Sequence, residues 1–142
     1  MRHSVIVPLL AFAAAFTAPA HAQNSEDAAV RAAVGHYLQG HATGDGAHFS
    51  MVFHPDSKLF WIQNAELRQR TSADYIAAAP GQPAADEAQR TRRIEHVDIT
   101  GDAAVAKVVL DHPGVILTDY LSLLKINGEW KVVNKIFTRA QK

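Results

Sequence analysis

The sequence predicts an α+β domain in which three helices lie over one curved antiparallel sheet. Two observations lead there. Apolar residues recur at helical spacing in the first third of the chain, while the last third is a series of alternating runs. Those runs are broken at Gly101-Asp102, Pro113-Gly114 and Asn127-Gly128, which are turn signals between antiparallel strands. Helices first and strands last describe helices packed on one face of a sheet, not an alternating α/β fold.

The first helix is read from Ser25, which can cap it, with Glu26 and Asp27 in the first turn where the helix dipole favours acids. Val30, Ala33, Val34, Tyr37, Leu38 and His41 then mark one helical face. Gly44 ends it, and Asp45 caps a short second helix carrying Phe49, Val52 and Phe53, closed at His54-Pro55. Ser57 to Gln63 and Glu66 to Arg70 read as two strands, and Ser72 opens a third helix stopped by Pro80-Gly81. "GQPAADEAQ" is a loose polar loop. Four strands complete the chain: Arg92 to Ile99, Ala103 to Asp111, Val115 to Ile126 and Trp130 to Thr138.

Upstream of the domain, Arg2 and His3 precede an apolar run from Val5 to Phe16 and the small-x-small triplet Ala20-His21-Ala22. That is the layout of a secretory signal, residues 1–22, leaving a domain at 23–142 and a periplasmic or secreted location. The run is about a dozen residues, short of the roughly 20 that span a membrane, so no membrane role is expected. There is no cysteine, so stability rests on packing without disulfides. Basic and acidic residues balance at 14 each, which gives no electrostatic reason for nucleic-acid binding. Arg90, Arg92 and Arg93 form the main basic cluster and read as a solvated strand edge.

The last hairpin, "ILTDYLSLLKINGEWKVVNKIF", poses the functional question. A two-residue Asn127-Gly128 turn with strict alternation puts Leu117, Asp119, Leu121, Leu123, Trp130, Val132, Asn134 and Ile136 on one face. Being the more apolar face, it is expected under the helices, with Asp119 and Asn134 as diagonal neighbours. A buried carboxylate without a partner costs several kcal/mol, so it is neutralised, hydrogen-bonded, or turned toward a wet cavity. The opposite face, with Tyr120, Leu124, Val133 and Phe137 among polar residues, is solvated or meets a second copy, and a homodimer is expected.

The histidines His36, His41, His48 and His54 crowd into the helical region, yet none is spaced as a metal pair, so no metal is expected, nor any cofactor. His54 either caps the second helix or pairs with Asp119. Trp61 and Trp130 either line a pocket or fill its base.

"YLQGHATGDGAHFSMVFHPDSKL", "ITGDAAVAKV" and "TDYLSLLKINGEWKVVNKIF" together resemble the putative lumazine-binding family of the nuclear transport factor 2-like superfamily, which includes SnoaL-like cyclases. The resemblance implies a cone-shaped barrel enclosing a pocket. It places Tyr37 where steroid isomerases carry an oxyanion-donating tyrosine, but the strand that holds their general base reads "KLFWIQ" here, without a carboxylate. The expected ligand is a small apolar or aromatic molecule contacting Tyr37, His54, Trp61, Asp119 and Asn134. Three functions fit: a non-catalytic binding module, a small lyase or isomerase using Asp119 and His54 as its acid–base pair, or a dimerising scaffold without ligand.

Overall fold

The computed structural model describes residues 20–142. Its elements run α1 (Ala20–Thr43), α2 (Gly46–Val52), β1 (Phe53–Gln63), β2 (Glu66–Thr71), α3 (Ser72–Ala77), β3 (Thr91–Thr100), β4 (Ala103–His112), β5 (Val115–Ile126) and β6 (Glu129–Gln141). The six strands form one sheet in the order β2-β1-β6-β5-β4-β3. Every neighbouring pair is antiparallel except β1 and β6, which run parallel. The α+β class and the curved, helix-covered sheet are as the sequence predicts.

Local departures have identifiable causes. Helix α1 continues upstream to Ala20, so Ser25 lies inside the helix and is not its cap. Apart from its last three residues, the segment read as a leader lies outside the described residues. Asp45 caps α2 as expected, its carboxylate accepting the Ala47 N–H at 2.8 Å. At α3 the cap is Thr71, whose hydroxyl accepts the Asp74 N–H at 3.1 Å, and not Ser72. The polar loop after α3 contains a single 3₁₀ turn, Glu87–Gln89.

Three register shifts bend the sheet. They fall between Phe53 and Lys58 on β1, between Ile94 and His96 on β3, and opposite Ser122 and Leu123 on β6. Each bulge adds local twist and kinks its strand, which lets one sheet wrap partly around the helices. The third has the largest chemical consequence. Leu123 pairs with Val132, but Ser122 pairs with Asn134, leaving Val133 as the extra residue. Beyond Val133 the alternation of β6 is inverted relative to strict pairing.

The covered face is the core. Val30, Val34 and Tyr37 of α1 and Phe49 and Val52 of α2 pack on Leu59, Ala106, Val108, Leu110, Leu121, Leu123, Trp130 and Val132. Glu26 ties α1 to the closed end, accepting from Lys125 at 2.6 Å and from the Trp130 indole at 3.0 Å. Trp130 therefore fills the base of the cone.

The α1–α2 contact depends on a missing side chain. A Cβ on Gly40 would lie 2.4 Å from the Phe49 ring, which is itself wedged among Tyr37, His41, Phe53 and Tyr75. Gly40→Ala gains about 1 kcal/mol of helix propensity but overpacks this cluster by about 1–3 kcal/mol. The expected result is a melting temperature several degrees lower, partly restored by adding Phe49→Leu; an equal or higher melting temperature for Gly40→Ala alone would contradict the packing.

Candidate functional site

Because β6 inverts at Val133, Lys135 and Phe137 point to the covered face, and Asn134 and Ile136 point away from it. The expected Asp119–Asn134 pair is thus corrected: Asp119 pairs across with Phe137, and its diagonal neighbour is Lys135. Along the covered face one row runs Arg70, Leu59, Lys135, Leu121. The next row brings Phe137, Asp119 and Val108 together. Strand pairing alone sets a lysine diagonally against a carboxylate.

Both are buried, Asp119 at 0% and Lys135 at 3% exposure, values at which an isolated charge would be severely penalised. They meet through α1. The Tyr37 hydroxyl donates to Asp119 Oδ2, Lys135 Nζ donates to the Tyr37 oxygen at 2.5 Å, and Nζ lies 3.1 Å from Asp119 Oδ2. The result is a closed triangle of amine, phenol and carboxylate. Three rings surround the amine, with centroids at 4.7 Å for Phe137, 4.9 Å for Tyr37 and 5.4 Å for Tyr75. Asp119 Oδ1 is buried with no partner among the described residues, so one lone pair of the carboxylate is free to accept.

Burial dominates the electrostatics. It pulls the Lys135 ammonium below the usual lysine range, while Asp119 opposes that shift. It pushes the Tyr37 phenol well above its ordinary value, with the nearby Tyr75 and Asp119 adding to the effect. It also drives His41 well below its usual value, helped by the positive charges of Lys135 and Arg92, so the ring is neutral at pH 7. His41 Nε2 sits 2.9 Å from the Tyr75 hydroxyl, which extends the polar chain outward.

The chain leads to a cavity of about 240 Å³, lined by His41, Phe49, Tyr75, Arg70 and Arg90 together with the backbone around Gly40, Gly44 and Ala78 to Ala84. A larger one of about 470 Å³ lies at the β4–β5 end beside Leu117, His112 and Arg139. An apolar one of about 300 Å³ is bounded by Trp61, Phe137 and open-face residues including Tyr120 and Ile136. Arg70 and Arg139 have no carboxylate partner among the described residues; their guanidinium carbons lie 5.8 Å from the Tyr75 ring centroid and 5.6 Å from that of Phe137.

Of the residues expected to contact ligand, Tyr37 and Asp119 come together. Trp61 lies on the covered side, stacked on Phe137 at 5.4 Å. Asn134 is on the opposite face. His54 does not reach Asp119: it sits at the start of β1, where its Nδ1 accepts the Asp56 N–H at 3.2 Å. It does not cap α2 either, because that helix ends at Val52 and Phe53 supplies the C-cap. Arg92 is no solvated edge; its side chain is 9% exposed, its guanidinium clamped by Glu87 at 2.5 and 2.7 Å and bonded to the His41 carbonyl. Among the described residues no cluster of three or more metal-ligating side chains occurs. Lys135 is the group that strict alternation of β6 hides; Tyr75 of α3 and His41 of α1 join the site through helix docking, which the strand pattern does not address.

The family model for putative lumazine-binding proteins matches residues 25–138. The chain belongs to that family. Among solved structures it is similar to nuclear transport factor 2-like proteins of unknown function. One from Shewanella baltica OS155 gives a TM-score of 0.75 at 24% identity, over 84% of this chain and 97% of that one. Another, from Methylobacillus flagellatus KT, gives 0.70 at 25% identity, over 82% and 93%. These likenesses establish the nuclear transport factor 2-like fold. Among characterised sequences the family member is similar to the aldolase FrzH of Cladobotryum sp., 25% identical over 119 residues, covering 82% of this chain and 94% of that one.

Two outcomes follow. Asp119→Asn and Lys135→Met should each cost about 3–5 kcal/mol in urea denaturation, because each strands a buried partner, and the double mutant should cost far less than their sum; additive losses would show that the pair is not coupled. For His41 the unfolded ring titrates near 6.5 and the folded one lower, so the unfolded state binds the extra proton in that window. Stability is complete above about pH 6.5 and falls as the solution is acidified. A melting temperature that drops between about pH 7.5 and about pH 5.5, with a shallower drop in His41→Gln, is expected; His112, also lowered, supplies a remainder of the same sign. A flat profile would contradict the buried neutral ring.

Proposed function

We propose that this family member binds a small carbonyl compound in the cone and promotes proton transfer at the carbon beside the carbonyl, as aldol-type bond making or breaking requires. The observation that carries the reading is the buried Lys135–Tyr37–Asp119 triangle. A cationic amine and a phenol are donors for an oxygen that gains negative charge, and a carboxylate with a free lone pair accepts a proton. All three lie within hydrogen-bond reach of one another in a site from which water is excluded. The similarity to an aldolase over most of both chains supports the same chemistry. Space supports a compact substrate: about 240 Å³ beside Tyr75 and His41 holds a molecule of a few carbons. Asp119 keeps the acid–base role given to it from sequence, but Lys135 and Tyr37 replace His54 as its partners.

The domain's surroundings belong to the same reading. The leader-like residues 1–22 support export to the periplasm or medium. The open sheet face carries Ile62, Leu67, Val105, Tyr120, Leu124 and Ile136, each more than 40% exposed, and so much exposed apolar surface on one face supports a homodimer in which a second copy covers it. Phe137, expected there, is on the other side.

Proton exchange tests the chemistry directly. Pyruvate, dihydroxyacetone and acetone in D₂O should lose α-proton intensity by NMR faster with the protein than without it. Lys135→Met and Tyr37→Phe should lower that rate by about 10²-fold or more; no protein-dependent exchange on any of the three sinks the proposal. Light scattering after size exclusion should give twice the chain mass, and one chain mass for Ile136→Lys. A monomeric parent removes the dimer.

A further inference from the structure

The triangle admits a more specific role for one of its members. We propose that Lys135 acts covalently: its amine condenses with the carbonyl of a small ketone or aldehyde to form an imine, a step that rests on the carbonyl reading above and gives it a mechanism.

Three features distinguish Lys135 from a lysine held only as a counter-ion. The first is its chemical setting. A lysine becomes a nucleophile when it loses its proton near neutral pH, and an apolar enclosure favours that loss. Lys135 is enclosed by the rings of Phe137, Tyr37 and Tyr75, and burial lowers its proton affinity. The second is the relay. Asp119 Oδ2 lies 3.1 Å from Nζ, and the Tyr37 hydroxyl bridges the two, so a proton has an acceptor and a carrier beside the nitrogen. The third is nearness to a cavity. Tyr75 forms one wall of the amine's cage and also lines the 240 Å³ cavity, so a single ring separates Nζ from a bound ligand and condensation requires that ring to swing aside. Lys58, Lys107, Lys125, Lys131 and Lys142 lie away from this site; only Lys135 is buried.

The step balances without a co-reactant. A proton leaves the Lys135 ammonium for Asp119, and the freed nitrogen pair attacks the carbonyl carbon. The C=O π pair moves to oxygen, which takes up a proton through Tyr37. The nitrogen, positively charged after the attack, gives up a second proton, which is carried to that oxygen as the C–O bond breaks; water departs while the freed nitrogen pair closes the C=N bond. Ammonium plus carbonyl has become protonated imine plus water. The positively charged C=N unit then accepts the electron pair released when the adjacent C–H or C–C bond breaks, and hydrolysis regenerates the amine.

Borohydride reduction of the full-length protein with pyruvate, and separately with dihydroxyacetone, followed by peptide mapping tests this. The expected result is a secondary-amine adduct on Lys135 exceeding that on each exposed lysine by about tenfold, despite its burial. Lys135→Arg, which keeps the charge, should lose the adduct, with its melt confirming that it folds; the parent's map decides the matter even if it does not fold. An adduct spread over the exposed lysines, or none at all, overturns the inference. Absence of adduct with α-proton exchange intact would leave the non-covalent carbonyl reading standing; absence of both would remove the two together.

Discussion

A carboxylate cannot remain ionised inside a protein without a cation beside it, and the arrangement of this domain around Asp119 follows from that constraint. Asp119 lies fully buried on β5. The cation comes from β6, through the one-residue bulge that turns Lys135 inward. The hydroxyl that joins them comes from α1, so strand pairing and helix docking converge on a single oxygen. Such a pair contributes little net stability, because desolvation offsets most of the Coulombic attraction. Its presence in an interior otherwise built from Val, Leu and aromatic residues is therefore not accounted for by stability, and the proposed chemistry gives it a role.

The bulges divide the two faces of the sheet between two tasks. Trp130 and Glu26 fasten α1 at one end of the sheet, where a cavity of about 460 Å³ opens between Trp130 and His36, while the other end keeps cavities beside Tyr75 and Arg139. Arg92 and Glu87 fasten the loop after α3 to the end of α1, fixing the cavity wall that carries His41. The open face is flatter in chemistry, an apolar surface suited to another copy. In the proposed function, substrate handling and association fall to opposite sides of the same strands.

Much of this was legible in the chain. The helical spacing of Val30, Val34 and Tyr37 and the Gly/Pro/Asn breaks of the last strands are local signals, and they gave the fold class and most element boundaries. Asp119 was identified because a charge inside an apolar alternation is conspicuous at any register. Asn134 and Phe137 were placed on the wrong faces because a bulge is decided by tertiary packing, and strict alternation cannot see one extra residue. A signal was nevertheless present: a buried carboxylate demands a cation, and Lys135 is the one that a single-residue shift of β6 brings beside it. His54 failed for a different reason. It lies at the start of β1, within the strand's register shift, and its ring engages the neighbouring Asp56 backbone instead of Asp119.

The proposed site requires Lys135 inside the cone against Asp119. Following the lysine side-chain carbon and nitrogen resonances through a pH titration measures that directly. Lys135 should titrate below the ordinary 10.5, and Asp119→Asn should lower its midpoint further by removing the charge that opposes the shift. A Lys135 midpoint at 10.5, unmoved by Asp119→Asn, would place the amine in water and contradict the site.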